Sequence, residues 1–122
     1  MTMTMEQQRA RSAWRCSAGQ PSDYATLAKK LPALIMNSGL MQTLAFLEDK
    51  NQGHHRALSS HLRRWLQERF PELFQSAEYV GFMESLMRAR PEQFQDVTAE
   101  AMAWLRWVRQ LAPTRANGEG SR

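Results

Sequence analysis

The sequence predicts an all-α protein, a compact single-domain bundle of about six helices. Apolar residues recur at helical spacing through most of the chain, and no segment alternates with period two. The Asn-Gly pair at Asn117-Gly118 lies in a polar tail, not between strand-like runs. A length of 122 residues suits one domain around one core. Residues 1–112 are expected to form that domain, and 113–122 a polar, disordered tail.

Turn chemistry sets the expected boundaries. The first helix covers about 3–17 and ends at Ser17-Ala18-Gly19-Gln20-Pro21. Its stripe (Met3, Ala10, Ala13, Trp14) is the thinnest in the chain and does not say where it docks. Ser22 can cap the second helix, whose stripe is Tyr24, Leu27, Ala28, Leu31, Leu34 and Ile35. Pro32 falls inside that run. It lacks an N–H and clashes with the carbonyl of Ala28, which predicts a kink or break there. Asn37-Ser38-Gly39 ends the run and starts a third helix over about 39–49. After the Asn51-Gln52-Gly53 loop, a fourth helix over about 53–69 carries Leu58, Leu62, Trp65 and Leu66. It stops before Pro71. The fifth, about 76–89, carries Tyr79, Phe82, Met83, Leu86 and Met87 and ends ahead of Pro91. The sixth, about 97–112, carries Val97, Ala101, Trp104, Leu105, Val108 and Leu111 and stops at Pro113. Among the methionines, Met36, Met41, Met83, Met87 and Met102 are expected to fill the core.

Several function classes fall away. Cys16 is the single cysteine, so no disulfide can form within the chain. No apolar run approaches the ~18 residues of a membrane span, and the first residues lack the pattern of a signal peptide. A cytoplasmic protein is expected. His54 and His61, seven residues apart on one helix, stand about 10 Å apart along its axis, too far to share one ion. His54 and His55 point about 100° apart. The sequence therefore predicts no metal site and no cofactor. Cys16 has no neighbouring base, and there is no Gly-rich phosphate loop, Gly-x-Ser-x-Gly or carboxylate pair. A ribonuclease would need two imidazoles facing one phosphate from opposite sides, which neighbours on one helix do not provide. No catalytic activity is expected.

Charge is the more informative property. Sixteen basic residues stand against twelve acidic ones, a net charge of +4, and thirteen of the sixteen are arginine. Guanidinium groups bind phosphates in a bidentate manner and stack on bases. The 54–69 segment carries four arginines against one acid, Glu68. On a helical wheel Arg56, Arg63 and Gln67 fall opposite Leu62 and Trp65, with Arg64 beside them. Arg106 and Arg109 oppose the stripe of the sixth helix, and Lys29 and Lys30 lie away from Leu27 and Leu31. Lys29, Lys30, Arg56, Arg63, Arg64, Arg106 and Arg109 are the candidate contacts to a phosphate backbone, without reading bases. Arg11 and Arg15 are i, i+4 neighbours that should repel unless an acid or anion sits near. With Trp107, which at the margin of the sixth helix's stripe is either rim packing or a subunit contact, they are the candidate subunit contacts.

Lys29-Lys30-Leu31-Pro32-Ala33-Leu34-Ile35, then Gly39-Leu40, then Gln42-Thr43-Leu44-Ala45-Phe46-Leu47 form a recognisable block. A second block runs from Thr98 through Arg109. Together they resemble the small helical subunit of type III-B (Cmr) CRISPR–Cas effector complexes. Met41 stands where a small residue is more usual in that family, and Gln110 where a second basic residue is common. The resemblance implies a non-catalytic all-α subunit that stacks with copies of itself as a short filament inside a ribonucleoprotein. That filament would lie beside the backbone subunits holding the guide RNA, its basic face along the target RNA. The residues alone leave three rivals open: a protein–protein interaction module without RNA contact, a small DNA-binding regulator, and a ribonuclease.

Overall fold

A computed structural model describes residues 2–115. Five helices follow one another: α1 (Met5–Ser17), α2 (Ser22–Lys50), α3 (Gly53–Arg69), α4 (Tyr79–Arg88) and α5 (Pro91–Arg115). Among the described residues there is no β-ladder.

Local chemistry explains where each helix begins and ends. Thr4 caps α1 reciprocally: the Gln7 N–H donates to Thr4 Oγ1 at 3.1 Å, and the Thr4 N–H to Gln7 Oε1 at 2.8 Å. The expected second and third helices are the two arms of α2, and the boundary expected between them at Asn37-Ser38-Gly39 is a kink at Gly39 (φ 86°, ψ 163°); the break expected at Pro32 is not there. A proline removes one hydrogen bond from a helix, and the buried row Ala28, Leu31 and Ile35 holds the helix through it. Gly39 alone in α2 leaves helical geometry, in a region that residues with a Cβ avoid. Asn51 then closes α2 in the left-handed conformation.

The last two helices also differ from expectation. Ser76 to Glu78 lead into α4 as its cap: the Glu78 N–H donates to Ser76 Oγ, and Glu78 Oε1 accepts from the Gly81 N–H. The helix proper therefore starts at Tyr79. The final helix starts six residues early, because Pro91 occupies its first position, where a missing N–H costs nothing. It also passes Pro113 and reaches Arg115. The carbonyl that Pro113 leaves without an N–H partner belongs to Arg109, an exposed residue. Thus 113–115 continue the helix, and the remainder of the expected tail lies outside the described residues.

The core is one cluster in which α5 meets α1, α2 and α3. Trp104, Tyr24, Phe74 and Phe82 are its largest fully buried side chains. Each such apolar side chain contributes on the order of 1.5–3 kcal/mol from burial. Phe74, from the connector between α3 and α4, stacks on Phe82 with ring centroids 4.0 Å apart. The docking of α1 is specific: Ala13 is buried, and Trp104 Nε1 donates to Ser12 Oγ at 2.9 Å. Two methionines leave the expected core. Met36 is 76% exposed, because Leu31, Ile35 and Leu40 take the inward positions of that part of α2, and Met87 is 65% exposed, because Phe82, Met83, Ser85 and Leu86 take those of α4. No described helix is long and apolar enough to cross a membrane.

Candidate nucleic-acid interface

The seven expected RNA contacts and three expected subunit contacts separate into distinct environments. Arg63 is the clearest correction. It is not on a wet face: it is 7% exposed. Its Nε donates to Ser59 Oγ at 3.1 Å, its Nη1 to the Ala77 carbonyl at 2.6 Å, and its Nη2 lies 3.6 Å from Glu48. Tyr79 covers the guanidinium, its ring centroid 5.6 Å from Cζ. Burial pushes the Arg63 pKa down while Glu48 and Glu78 hold it up. Arg63 therefore has no free donor face for a phosphate. Arg56 remains exposed but is drawn to Asn51 Oδ1 and lies 3.8 Å from Glu48.

The other candidate cations (Lys29, Lys30, Arg64, Arg106, Arg109, Arg11 and Arg15) have no ion pair among the described residues. Lys29 and Lys30 are exposed on α2. Lys30 borders a cavity of about 270 Å³ at the head of α3, together with Asp23, Gln52, His54 and His55. Burial pushes the His55 pKa down, with further lowering from His54, Lys50 and Lys30. Arg106 and Arg109 are exposed on α5 and border a cavity of about 390 Å³ with Glu6, Trp107 and Gln110. Trp107 is half-buried there.

Arg11 and Arg15 come together with Arg64. Arg11 and Arg15 line a cleft of about 460 Å³ between α1 and α3, with Ser12, Trp65 and Glu68 opposite or between them. Arg15, Arg64 and Glu68 line a continuation of about 180 Å³ that also reaches Cys16 and His61. Residues expected in two separate roles thus share one surface.

Beneath this surface lies a buried polar frame that sequence reading missed. Glu100 of α5 accepts from Arg9 Nε at 2.8 Å and Arg9 Nη2 at 2.9 Å, and from Trp65 Nε1 at 3.0 Å. One carboxylate therefore joins α1, α3 and α5. Tyr24 hydroxyl and His61 Nδ1 are hydrogen-bonded at 2.8 Å. Burial, aided by Arg64, pushes the His61 pKa down to about 4. Burial pushes the Cys16 thiol up, away from the reactive thiolate. Arg115 stacks over the exposed ring of Trp14, 4.2 Å from its centroid. Among the described residues no group of three or more His, Cys, Asp or Glu side chains is arranged to hold a metal ion.

Two comparisons bear on this arrangement. The sequence model of the family described as CRISPR-associated protein (Cas_Cmr5) matches residues 5–114, which includes all five helices up to the last turn. The chain is also 32% identical over 90 residues to a protein of Thermus thermophilus named CRISPR system Cmr subunit Cmr5. That match covers 74% of this chain and 72% of the relative.

Proposed function

Because the chain belongs to the Cmr5 family of CRISPR-associated proteins, we propose that it is a non-catalytic structural subunit of a type III-B RNA-guided effector complex. In this reading copies of the chain stack as a short filament in the cytoplasm, beside the backbone subunits that hold the guide RNA. They meet target RNA without reading its sequence. Lys29, Lys30, Arg64, Arg106 and Arg109 are the phosphate contacts, with Arg56 at their edge.

One observation carries the RNA contact: these side chains are exposed and, Arg56 aside, none is paired with an acid among the described residues. Such groups neutralise phosphates and release counterions, so affinity falls as salt rises. Stacking is supported by exposed apolar side chains on α2 and α4, namely Met36, Val80 (56% exposed) and Met87. Several weak contacts repeated along a filament add up to firm retention.

The test is RNA retention by the reconstituted complex. Lys29→Glu with Lys30→Glu, and Arg106→Glu with Arg109→Glu, are expected to release target RNA at lower salt than wild type while the subunit still assembles. Unchanged retention in both variants removes these residues from the RNA path. The rival reading is a purely protein–protein module, and the half-buried Trp107 between Arg106 and Arg109 favours it. In that case poly-U does not compete for the basic surfaces, and Trp107→Ala disrupts assembly.

A further inference from the structure

We propose that the cleft between α1 and α3 is a seat for the sugar–phosphate backbone of single-stranded RNA, with Arg11, Arg15 and Arg64 holding phosphates and Glu68 accepting from a ribose 2′-hydroxyl. The inference rests on the RNA-binding reading above and assigns that reading a surface of which it had included only Arg64.

Charge makes the first argument. Arg11, Arg15 and Arg64 are all exposed, and none is within ion-pair distance of an acid among the described residues. Two like charges at i, i+4 on α1 cost stability unless something neutralises them, and a third sits across the cleft on α3. Their side-chain partners are weak: Arg11 Nη1 faces Met3 Sδ at 3.0 Å, and Arg64 Nη2 faces Ser60 Oγ at 3.5 Å. The donors that match a phosphate therefore stay free. Arg11 and Arg15 are about 6 Å apart along the helix axis, far enough to hold two separate phosphates.

Glu68 makes the second argument. It borders both parts of the cleft, i, i+4 from Arg64, yet forms no ion pair with it. A carboxylate is an acceptor only. In a nucleic-acid backbone the 2′-hydroxyl is the single group that can donate to it, and DNA lacks that group. Three donors and one acceptor on the same cleft fit ribose phosphate better than deoxyribose phosphate. The cleft floor is rigid, because Trp65 is anchored by Glu100 and Arg69 lies over its ring at 5.7 Å.

The experiment titrates the purified full-length chain with labelled oligouridylate and with oligodeoxyuridylate of equal length, at low salt, by fluorescence anisotropy. Wild type is expected to prefer RNA several-fold. Arg11→Gln with Arg15→Gln should weaken RNA binding about tenfold or more. It should also lower the salt slope by about 1.4, at about 0.7 per phosphate contact on a single strand. Glu68→Ala should bring the RNA-to-DNA ratio toward one by weakening RNA binding several-fold while DNA binding does not weaken. Circular dichroism of each variant should match wild type, since these side chains are exposed. If Arg11→Gln with Arg15→Gln binds RNA like wild type while Arg106→Glu with Arg109→Glu does not, the cleft is overturned and the RNA reading survives. If wild type shows no binding at low salt, the cleft is overturned as a site, and retention by the assembled complex still judges the wider reading. If the glutamine variant keeps RNA binding but fails to enter the complex, the cleft belongs to an acidic protein partner.

Discussion

Arg63 Nη1 lies 2.6 Å from the carbonyl oxygen of Ala77, tying the middle of α3 to the connector that leads into α4. Its Nε and Nη2 turn to Ser59 and Glu48. The side chain is a buried cross-brace between three segments, although arginine at an outward wheel position usually serves the surface.

Arg63→Ala is accordingly expected to cost about 2–4 kcal/mol of stability, the range for breaking a buried charged hydrogen-bond set. Glu48, with a quarter of its side chain exposed, can be rehydrated and so tolerates replacement better. Urea unfolding of Arg63→Ala and Glu48→Gln compares the two. A loss below about 0.5 kcal/mol for Arg63→Ala would place it with ordinary surface charges and contradict the bracing role.

Glu100 is the second brace, and its effect should be cooperative. Replacing it by Gln removes the charge that pairs with both Arg9 nitrogens and leaves Trp65 Nε1 a weaker acceptor. Glu100→Gln is expected to cost about 1–3 kcal/mol. Arg9→Met should cost less, because the Arg9 side chain is 25% exposed against 10% for Glu100. In the double variant the losses should not add. The Trp65 indole N–H resonance should move in Glu100→Gln and stay near its wild-type position in Arg9→Met.

The sequence read the helices well and the connector poorly, for one reason. Periodicity reports which face of a helix is apolar, so the stripes of α3 and α5 appear in the structure as buried rows. It says nothing of irregular chain that folds back over the opposite face. Residues 70–78 have no repeat, yet Phe74 enters the core, and the carbonyls of Phe74 and Ala77 accept from Gln67 and Arg63. A wheel drawn for α3 alone therefore put Arg63 in solvent. The α1–α3 cleft was half legible: the Arg11/Arg15 repeat was visible as unexplained like charge. Its meeting with Arg64 depends on how α1 docks, and a thin stripe did not disclose that. Proline was over-read at Pro32 and Pro113, where buried neighbours or an exposed carbonyl make its cost bearable, whereas the break expected at Asn37-Ser38-Gly39 is present as the kink at Gly39.

Gly39 gives a prediction free of side-chain contacts. Nothing lies within 4 Å of where its Cβ would be, so space does not forbid alanine there. The backbone does, at φ 86° and ψ 163°. Gly39→Ala is expected to lose about 1–3 kcal/mol, seen as a lower midpoint of thermal unfolding. Ala45→Gly, at an exposed position within regular helix, should cost about 1 kcal/mol or less. An unchanged Gly39→Ala midpoint would mean that α2 straightens through this point without penalty.

His61 predicts the direction of acid sensitivity. Folded, its pKa is pushed down to about 4, chiefly by burial; the ordinary value is 6.5. Below pH 6.5 the unfolded chain takes up a proton that the folded chain refuses until about pH 4. Stability from this group is therefore complete above pH 6.5 and is lost progressively as pH falls toward 4. His55, whose pKa burial also lowers, adds to the same trend. Urea unfolding at a series of pH values between these limits should show the decline in wild type. In His61→Gln it should be shallower, and the Tyr24 hydroxyl should keep a side-chain amide as partner. A His61→Gln profile parallel to wild type would mean that His61 takes up its proton equally readily in the folded and the unfolded chain, and that its bond to Tyr24 does not depend on the neutral ring.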